Sequence, residues 1–259
     1  RLQETRGEWE DVDRTLATIL DGTSEPSARK RVLVRLARNA ELRLGDVPRA
    51  ALLYEQALAT GAKPASMAVD RLRLARLAGD RDQIASCLSV MATNTSDQRL
   101  ENGLLRVLAL QVEHSGASEP AGAIYERLVA RDPQDPQALD GLIRCLAATS
   151  SADVRVARSL VARARVTDDG SLRALLAFAA GVLDETAGRG AAAEDAYSFA
   201  LHADPELTPA LDAARRLRTL AGDWAAVAAL AERAARASLD RENVAEAWVG
   251  AAEVYEQRL

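Results

Sequence analysis

The chain has 259 residues, of which 48% are hydrophobic and only 3% aromatic, and its formal net charge is −5. Acidic and basic residues are interspersed without a block of like charge. This argues against binding to nucleic acid or to an anionic membrane surface, since both partners need a basic face. The apolar residues are mostly Ala and Leu, which are strong helix formers, so the composition favours an all-α protein.

Turn signals divide the sequence at intervals of 34 to 38 residues, at Gly7-Glu8, Gly45-Asp46, Gly79-Asp80, Gly116, Ser150-Ser151, Gly188 and Gly222-Asp223. Between them the pattern is helical and breaks again near its midpoint, at 22–26, 61–64, 94–97, 132–136, 168–170, 204–209 and 239–241. Each period therefore predicts two helices. The first helix ends at the glycine, which tolerates a left-handed backbone, and the following Asp caps the second helix.

The second helices of alternate periods are near-copies of one another. Their tyrosines are 71 and 72 residues apart, at Tyr54, Tyr125 and Tyr197. The same two spacings separate Arg73, Arg144 and Arg216. The repeating unit therefore consists of two successive motifs and is about 72 residues long. One motif of each unit matches the repeat pattern closely, and the other is more degenerate. The tyrosines and the small residues around them are expected to pack between neighbouring helices.

This pattern resembles the tetratricopeptide repeat family. The first-helix motif of that family is a bulky residue, then Leu and a small residue, then an aromatic. The stretch Trp248, Ala251, Ala252 and Tyr255 fits it, with Ala251 in the place of Leu. The second-helix motif, small, aromatic and small with a following proline, is matched by Ala193, Tyr197, Ala200 and Pro205. Several aromatic positions hold Leu, Ala or Arg instead, so a Sel1-like or other α-α solenoid is the alternative. The resemblance implies an all-α fold, an α-α superhelix (solenoid) of stacked helix-turn-helix repeats.

Residues 1–259 are expected to form a single solenoid of six helix pairs with a half pair at each end. Residues 8–21 match a second helix without its first, and residues 241–259 match a first helix without its second. The chain starts at Arg1 rather than Met, and it has two lysines among 33 basic residues, as in GC-rich genomes. These features predict a fragment of a longer bacterial repeat protein.

No apolar run approaches the length that spans a bilayer, and no signal peptide is recognisable, so membrane insertion is not expected. Cys87 and Cys145 lie far apart in apolar helical stretches and are expected to be buried free thiols. Their burial without a disulfide framework is compatible with a reducing compartment, and a cytoplasmic location is favoured.

The sequence has few features that indicate catalysis. His114 and His202 lie at predicted helix ends without a Cys or His at metal-ligand spacing. Asp168-Asp169 falls in a loop and is expected to cap a helix rather than to act as an acid pair. The chain is therefore not predicted to be an enzyme, and neither a cofactor nor a metal is expected. The partner is expected to be a protein or an extended peptide and not a nucleic acid.

The resemblance places the ligand groove on the concave face formed by the first helices. The candidate partner-binding residues there are Arg35, Arg38, Asp70, Arg73, Asp140, Arg144, Asp212 and Arg216. One interpretation is an arginine ladder that hydrogen-bonds the backbone or acidic side chains of a partner. The other is a set of ordinary helix-surface ion pairs, three or four residues apart, worth about 0.2–0.5 kcal/mol each.

Two alternatives to a binding scaffold are open at the level of sequence. The chain is either the regulatory or substrate-positioning arm of a multidomain enzyme, or a structural spacer without a groove ligand. A catalytic domain elsewhere in the parent protein would favour the first. A pull-down that compares the wild type with an Arg73/Arg144/Arg216→Ala variant addresses the second. Equal recovery of partners by both would rule out the arginine ladder.

Overall fold

A computed structural model describes residues 8–149, 154–237 and 241–258. These ranges hold fourteen α-helices, one short 3-10 turn and no β-strand. The all-α prediction is therefore confirmed, and the helices follow the predicted order of one helix, six pairs and one helix. The turns predicted at Gly7 and Ser150-Ser151, and most of the break at 239–241, lie outside the described ranges.

The helix bounds follow the predicted breaks closely. The helices of the first half are α1 (Trp9–Asp21), α2 (Pro26–Leu42), α3 (Val47–Ala59), α4 (Ala68–Ala78), α5 (Arg81–Asn94), α6 (Gln98–His114) and α7 (Ser118–Arg131). Those of the second half are α8 (Pro136–Thr149), α9 (Val154–Arg165), α10 (Gly170–Thr186), α11 (Gly190–Ala203), α12 (Thr208–Ala221), α13 (Trp224–Ala237) and α14 (Arg241–Arg258). The 3-10 turn, Pro64–Met67, precedes α4.

The chain divides into two compact units, Arg1–Gly116 and Ala117–Leu259. Unit 1 contains α1 to α6, and unit 2 contains α7 to α14. Within each unit a helix packs chiefly on the helix before it and the helix after it in the sequence. This order of neighbours is that of stacked helical hairpins, whose apolar faces are shared only with adjacent elements. A single array over residues 1–259 stays a prediction.

The turns at the ends of the first helices form as their residues dictate. Gly45, Gly79 and Gly222 have φ angles of 70°, 68° and 73°, a left-handed conformation that a side chain would strain. The aspartate after each of them accepts a hydrogen bond from the backbone N–H three residues later, at 3.0 to 3.1 Å. This bond satisfies a donor that the start of the second helix leaves free. The predicted turn, a glycine followed by an aspartate that caps the next helix, is confirmed at these three positions.

The repeated tyrosines are buried, as predicted. In unit 2 their rings lie against glycines of neighbouring helices. A Cβ on Gly181 would lie 2.5 Å from Cε1 of Tyr197, and a Cβ on Gly141 would overlap the ring of Tyr125. Each ring therefore occupies the space that a missing side chain leaves, which is how close packing is reached here.

The two cysteines are buried free thiols, as expected from their apolar surroundings. Burial raises the pKa of the Cys87 thiol, because the charged thiolate is disfavoured away from water. Throughout the part of the chain that the structure describes, helices with both the length and the apolarity to cross a bilayer are absent.

Candidate functional site

The eight predicted partner-binding residues lie on first helices in both units. Arg35 and Arg38 are on α2, Asp70 and Arg73 on α4, Asp140 and Arg144 on α8, and Asp212 and Arg216 on α12. In unit 1 the structure brings three of them together, because α2 and α4 lie side by side. In unit 2, Asp140, Asp212 and Arg216 are instead bonded to side chains outside the predicted set.

The unit 1 cluster joins two arginines to two carboxylates across α2 and α4. Nε of Arg38 donates to Oδ2 of Asp70 at 2.9 Å, and Nη2 of Arg73 donates to Oδ1 of the same side chain at 3.1 Å. Nη2 of Arg73 also donates to Oε2 of Glu41 at 2.8 Å, and its Nε donates to Oε1. The first helices α2 and α4 are therefore connected by hydrogen bonds, and each helix provides both a donor and an acceptor. We call Arg38, Glu41, Asp70 and Arg73 the unit 1 network.

Burial is uneven within the unit 1 network. The side chains of Glu41 and Asp70 are 3% and 12% exposed, whereas those of Arg38 and Arg73 are 49% and 39% exposed. A buried carboxylate is stable only when it is paired, and the arginines provide that pairing. The hydrogen bonds raise the pKa of Arg73, mainly through Glu41, and the pKa of Arg38, mainly through Asp70. The surface of the network is therefore formed by guanidinium groups.

Tyr54 lies under the unit 1 network. Its hydroxyl is buried and, among the residues that the structure describes, has no hydrogen-bond partner. Burial raises the pKa of this phenol, and the negative charges of Asp70 and Glu41 raise it further. The hydroxyl lies close to Arg38, whose pKa it raises to a smaller extent than Asp70 does.

Unit 2 contains a corresponding network between α10 and α12. Arg216 donates to both carboxylate oxygens of Glu185, from Nη2 at 2.9 Å to each and from Nε at 3.0 Å to Oε1. The hydroxyl of Tyr197 donates to Oε2 of the same carboxylate at 2.7 Å. The bonds from Arg216, and then that from Tyr197, lower the pKa of Glu185. We call Glu185, Tyr197 and Arg216 the unit 2 network.

Two aspartates of the pairs suggested by the sequence bond to other arginines in the structure. Asp212 accepts from Arg215 at 3.3 Å, while Arg216 bonds to Glu185. Asp140 accepts from Nε of Arg163, on α9, at 2.8 Å. A carboxylate on a neighbouring helix can face the guanidinium fork with both oxygens, which favours it over an acid on the same helix. The predicted bond between Asp70 and Arg73 is present.

Sequence reasoning missed Glu41 and Glu185, the acids that hold the repeated arginines. The signal was present, since these residues are 144 positions apart, which is two repeats of 72. The sequence-based pairs join each arginine only to an acid within four residues on the same helix, so they do not include Glu41 or Glu185. The actual partners precede Arg73 and Arg216 by 32 and 31 residues.

Each unit also has an open cleft away from these networks. One, of about 270 Å³, lies between α3, α4 and α5, and an ion pair of 2.9 Å between Glu55 and Arg71 lies at its edge. The other, of about 470 Å³, lies at the corresponding place between α11, α12 and α13. Both clefts are lined largely by alanine, leucine and the stems of charged side chains.

The titratable groups of the two networks are arranged as ion pairs. Among the described residues, no group of three His, Cys, Asp or Glu side chains is placed to hold a metal ion. His114 and His202 are exposed near the ends of α6 and α11. The chemistry that the two networks can supply is hydrogen-bond donation from arginine.

The sequence was compared with known proteins. No protein-family model matches it. Cellulose synthase operon protein C of Pseudomonas fluorescens strain SBW25 is 38% identical over 92 residues, which make up 34% of this chain and 7% of that protein. The chain thus matches only a small part of this relative's length.

Several solved structures are similar to this one. A tetratricopeptide repeat protein from Parabacteroides merdae aligns over 96% of this chain and 94% of its own, with 12% identity and a TM-score of 0.39. YrrB, described as a tetratricopeptide protein with an unusual peptide-binding site, aligns over 70% and 90%, with 17% identity and a TM-score of 0.38. At TM-scores below 0.5 the fold assignment rests on the helices and their packing.

Proposed function

We propose that this chain is a non-catalytic scaffold that binds a protein segment or an extended peptide on the exposed faces of its first helices. The supporting observation is the orientation of the two networks. Carboxylates turn inward or are fully engaged, while the arginines that hold them stay at the surface. Such a surface offers charge-assisted donors on a rigid support, which suits recognition of a backbone or of acidic side chains.

The arginines retain donors for a partner even though they are bonded internally. A guanidinium carries five N–H groups in a fixed fork. Arg38, Arg73 and Arg216 bond to their carboxylates through Nε and Nη2. Their Nη1 groups therefore remain for an acceptor outside the chain. The internal bonds also fix the fork, which lowers the entropy that a partner must overcome on binding.

The proposal is tested with a displayed library of random 16-residue peptides selected on the immobilised chain. We expect enriched peptides that bind the wild type and lose at least about tenfold in affinity with Arg73/Arg144/Arg216→Ala, because charged hydrogen bonds are removed. The matched control is Glu41/Glu185→Gln, which loosens the same ion pairs and keeps the arginines, so it should retain binding.

Two results would contradict the proposal. If no peptide is enriched, the chain is a spacer without a ligand on these faces. If the arginine variant and the Glu41/Glu185→Gln control lose affinity equally, the arginines act only by holding the helices together. Circular dichroism of all variants checks that each one is folded.

A further inference from the structure

One exposed face of unit 1 is rich in arginine. It consists of residues three or four positions apart on two neighbouring helices, which places them on one side of each helix. These residues are Arg31, Arg35, Arg38 and Leu42 on α2, and Val69, Arg73, Arg76 and Leu77 on α4. The bonds of the unit 1 network hold the two helices at this face in register. We call these eight residues the unit 1 face.

The charge of the unit 1 face is opposite to that of the chain. Glu41 and Asp70 are the only acidic residues of α2 and α4. They are bonded to Arg38 and Arg73, so neither of them pairs with Arg31 or Arg76 of the face, whereas the whole chain carries −5. Both carboxylates are nearly buried, so a partner meets mainly the guanidinium groups. A surface of this sign attracts and orients an acidic partner.

The unit 1 face also exposes large apolar side chains. Leu42, Val69 and Leu77 are 56%, 60% and 67% exposed, although each lies beside an arginine of the same helix or its neighbour. Apolar side chains left in water at such a place gain from being covered. A purely acidic segment would leave them exposed, whereas an amphipathic segment would cover them.

Two first helices of unit 2, α8 and α12, are more evenly charged. The side chains of Asp212 and Asp140 are 51% and 46% exposed, so carboxylates reach the surface beside the arginines there. A partner that approaches these helices meets both signs of charge. A preference for one sign therefore belongs to unit 1.

We infer that the unit 1 face binds an acidic amphipathic protein segment, with carboxylates at the arginines and apolar side chains over Leu42, Val69 and Leu77. This inference rests on the proposed function and names the chemistry of its partner. Arg31 and Arg76 decide the sign of the preference. Within the described residues neither makes a hydrogen bond or salt bridge through its side chain, so both are available to the partner.

The test repeats the library selection with Arg31/Arg76→Glu, a charge reversal that leaves the unit 1 network intact. Arg158/Arg165→Glu is the matched control, because it makes the same charge change at exposed positions of α9. Peptides enriched on the wild type and on the control should contain an excess of Asp and Glu together with Leu, Ile or Phe. The reversed variant should instead enrich Lys and Arg. A labelled wild-type-selected peptide should lose at least about tenfold in affinity on the reversed variant and weaken as salt is raised.

The outcomes separate this inference from the proposed function. Enrichment of neutral or basic peptides on the wild type, or an acidic excess that survives the reversal, overturns the inference and leaves the scaffold standing. A complete lack of enrichment overturns both. Concentration-dependent self-association in sedimentation that the reversal abolishes would identify a second copy as the occupant and would also overturn it.

Discussion

Tyr54 and Tyr197 occupy equivalent positions in the repeat but differ in what their hydroxyls do. Tyr197 donates to Glu185, and this bond is part of the unit 2 network. The Tyr54 hydroxyl is buried without a partner among the described residues. Both rings are buried, so the two hydroxyls can be compared by removing each of them in turn.

Replacement of Tyr197 by Phe should lower the free energy of unfolding by about 1 kcal/mol or more, because a hydrogen bond to a carboxylate is lost. Tyr54→Phe should be neutral or slightly stabilising, since it removes a buried hydroxyl that has no partner. Urea denaturation followed by circular dichroism at 222 nm measures both. Equal losses in the two variants would show that the rings, and not the hydroxyl bond, account for the effect.

The tyrosines themselves could be predicted from the sequence, whereas the partners of the repeated arginines could not be assigned. A buried aromatic residue repeats with the helix pair, so its spacing alone reveals its packing role. An ion pair depends instead on which neighbouring helix carries an acidic side chain at the same level along the helix axis as the arginine. Glu41 and Glu185 lie 32 and 31 residues before their arginines, a distance set by the stacking of hairpins. Local spacing rules for one helix therefore gave incomplete partners for Arg73 and missed Glu185, the main partner of Arg216.

At the scale of helices, the networks connect one first helix to the next. Glu41 and Arg73 join α2 to α4, and Glu185 and Arg216 join α10 to α12. The bonds between Glu41 and Arg73 are partly buried, so they are screened less than the exposed bonds between Glu185 and Arg216. Acid should weaken such a connection, because it depends on an ionised carboxylate.

The pKa of Glu185 is lowered in the folded chain, mainly by Arg216, so the folded state binds this proton less readily than the unfolded state does. Its stabilisation is then complete above the ordinary glutamate pKa of about 4.3 and is lost as pH falls through the lower folded value. At pH 7 we expect Glu185→Gln to be about 1 kcal/mol less stable than the wild type. This difference should disappear toward pH 3 in urea titrations.

Glu119→Gln provides the control for that titration. Glu119 is exposed in the first turn of α7. Its variant should follow the wild type at every pH. A Glu185→Gln difference that persists unchanged at pH 3 would mean that side-chain shape, rather than ionisation, is responsible.

Helix ends were easier to predict than contacts between helices, because their signals are local. Gly79 and Asp80 illustrate this: the glycine takes a positive φ and the aspartate caps α5. The 3-10 turn Pro64–Met67 was not predicted as an element, although Pro64 did mark the break. Its four residues carry no helical periodicity from which a separate element could be recognised.

At the scale of the whole molecule, stability should be distributed rather than concentrated in one core. Each unit buries its own apolar side chains, and each helix packs on its sequence neighbours. In repeat architectures of this kind stability is approximately a sum over elements and their adjacent interfaces. A local defect should therefore raise local opening before it affects distant helices.

Gly181→Ala supplies such a defect, because the new Cβ would lie 2.5 Å from the buried ring of Tyr197. Overpacking at this site should cost about 2 kcal/mol. Hydrogen exchange followed by mass spectrometry should show faster exchange in α10 to α12, while α2 to α4 of unit 1 exchange as in the wild type. Gly103→Ala is the control: it adds the same methyl group on α6 with no atom within 4 Å, so helix propensity should slow exchange there. Uniform acceleration across both units would contradict additive, locally carried stability, because it would require the chain to open as one cooperative body.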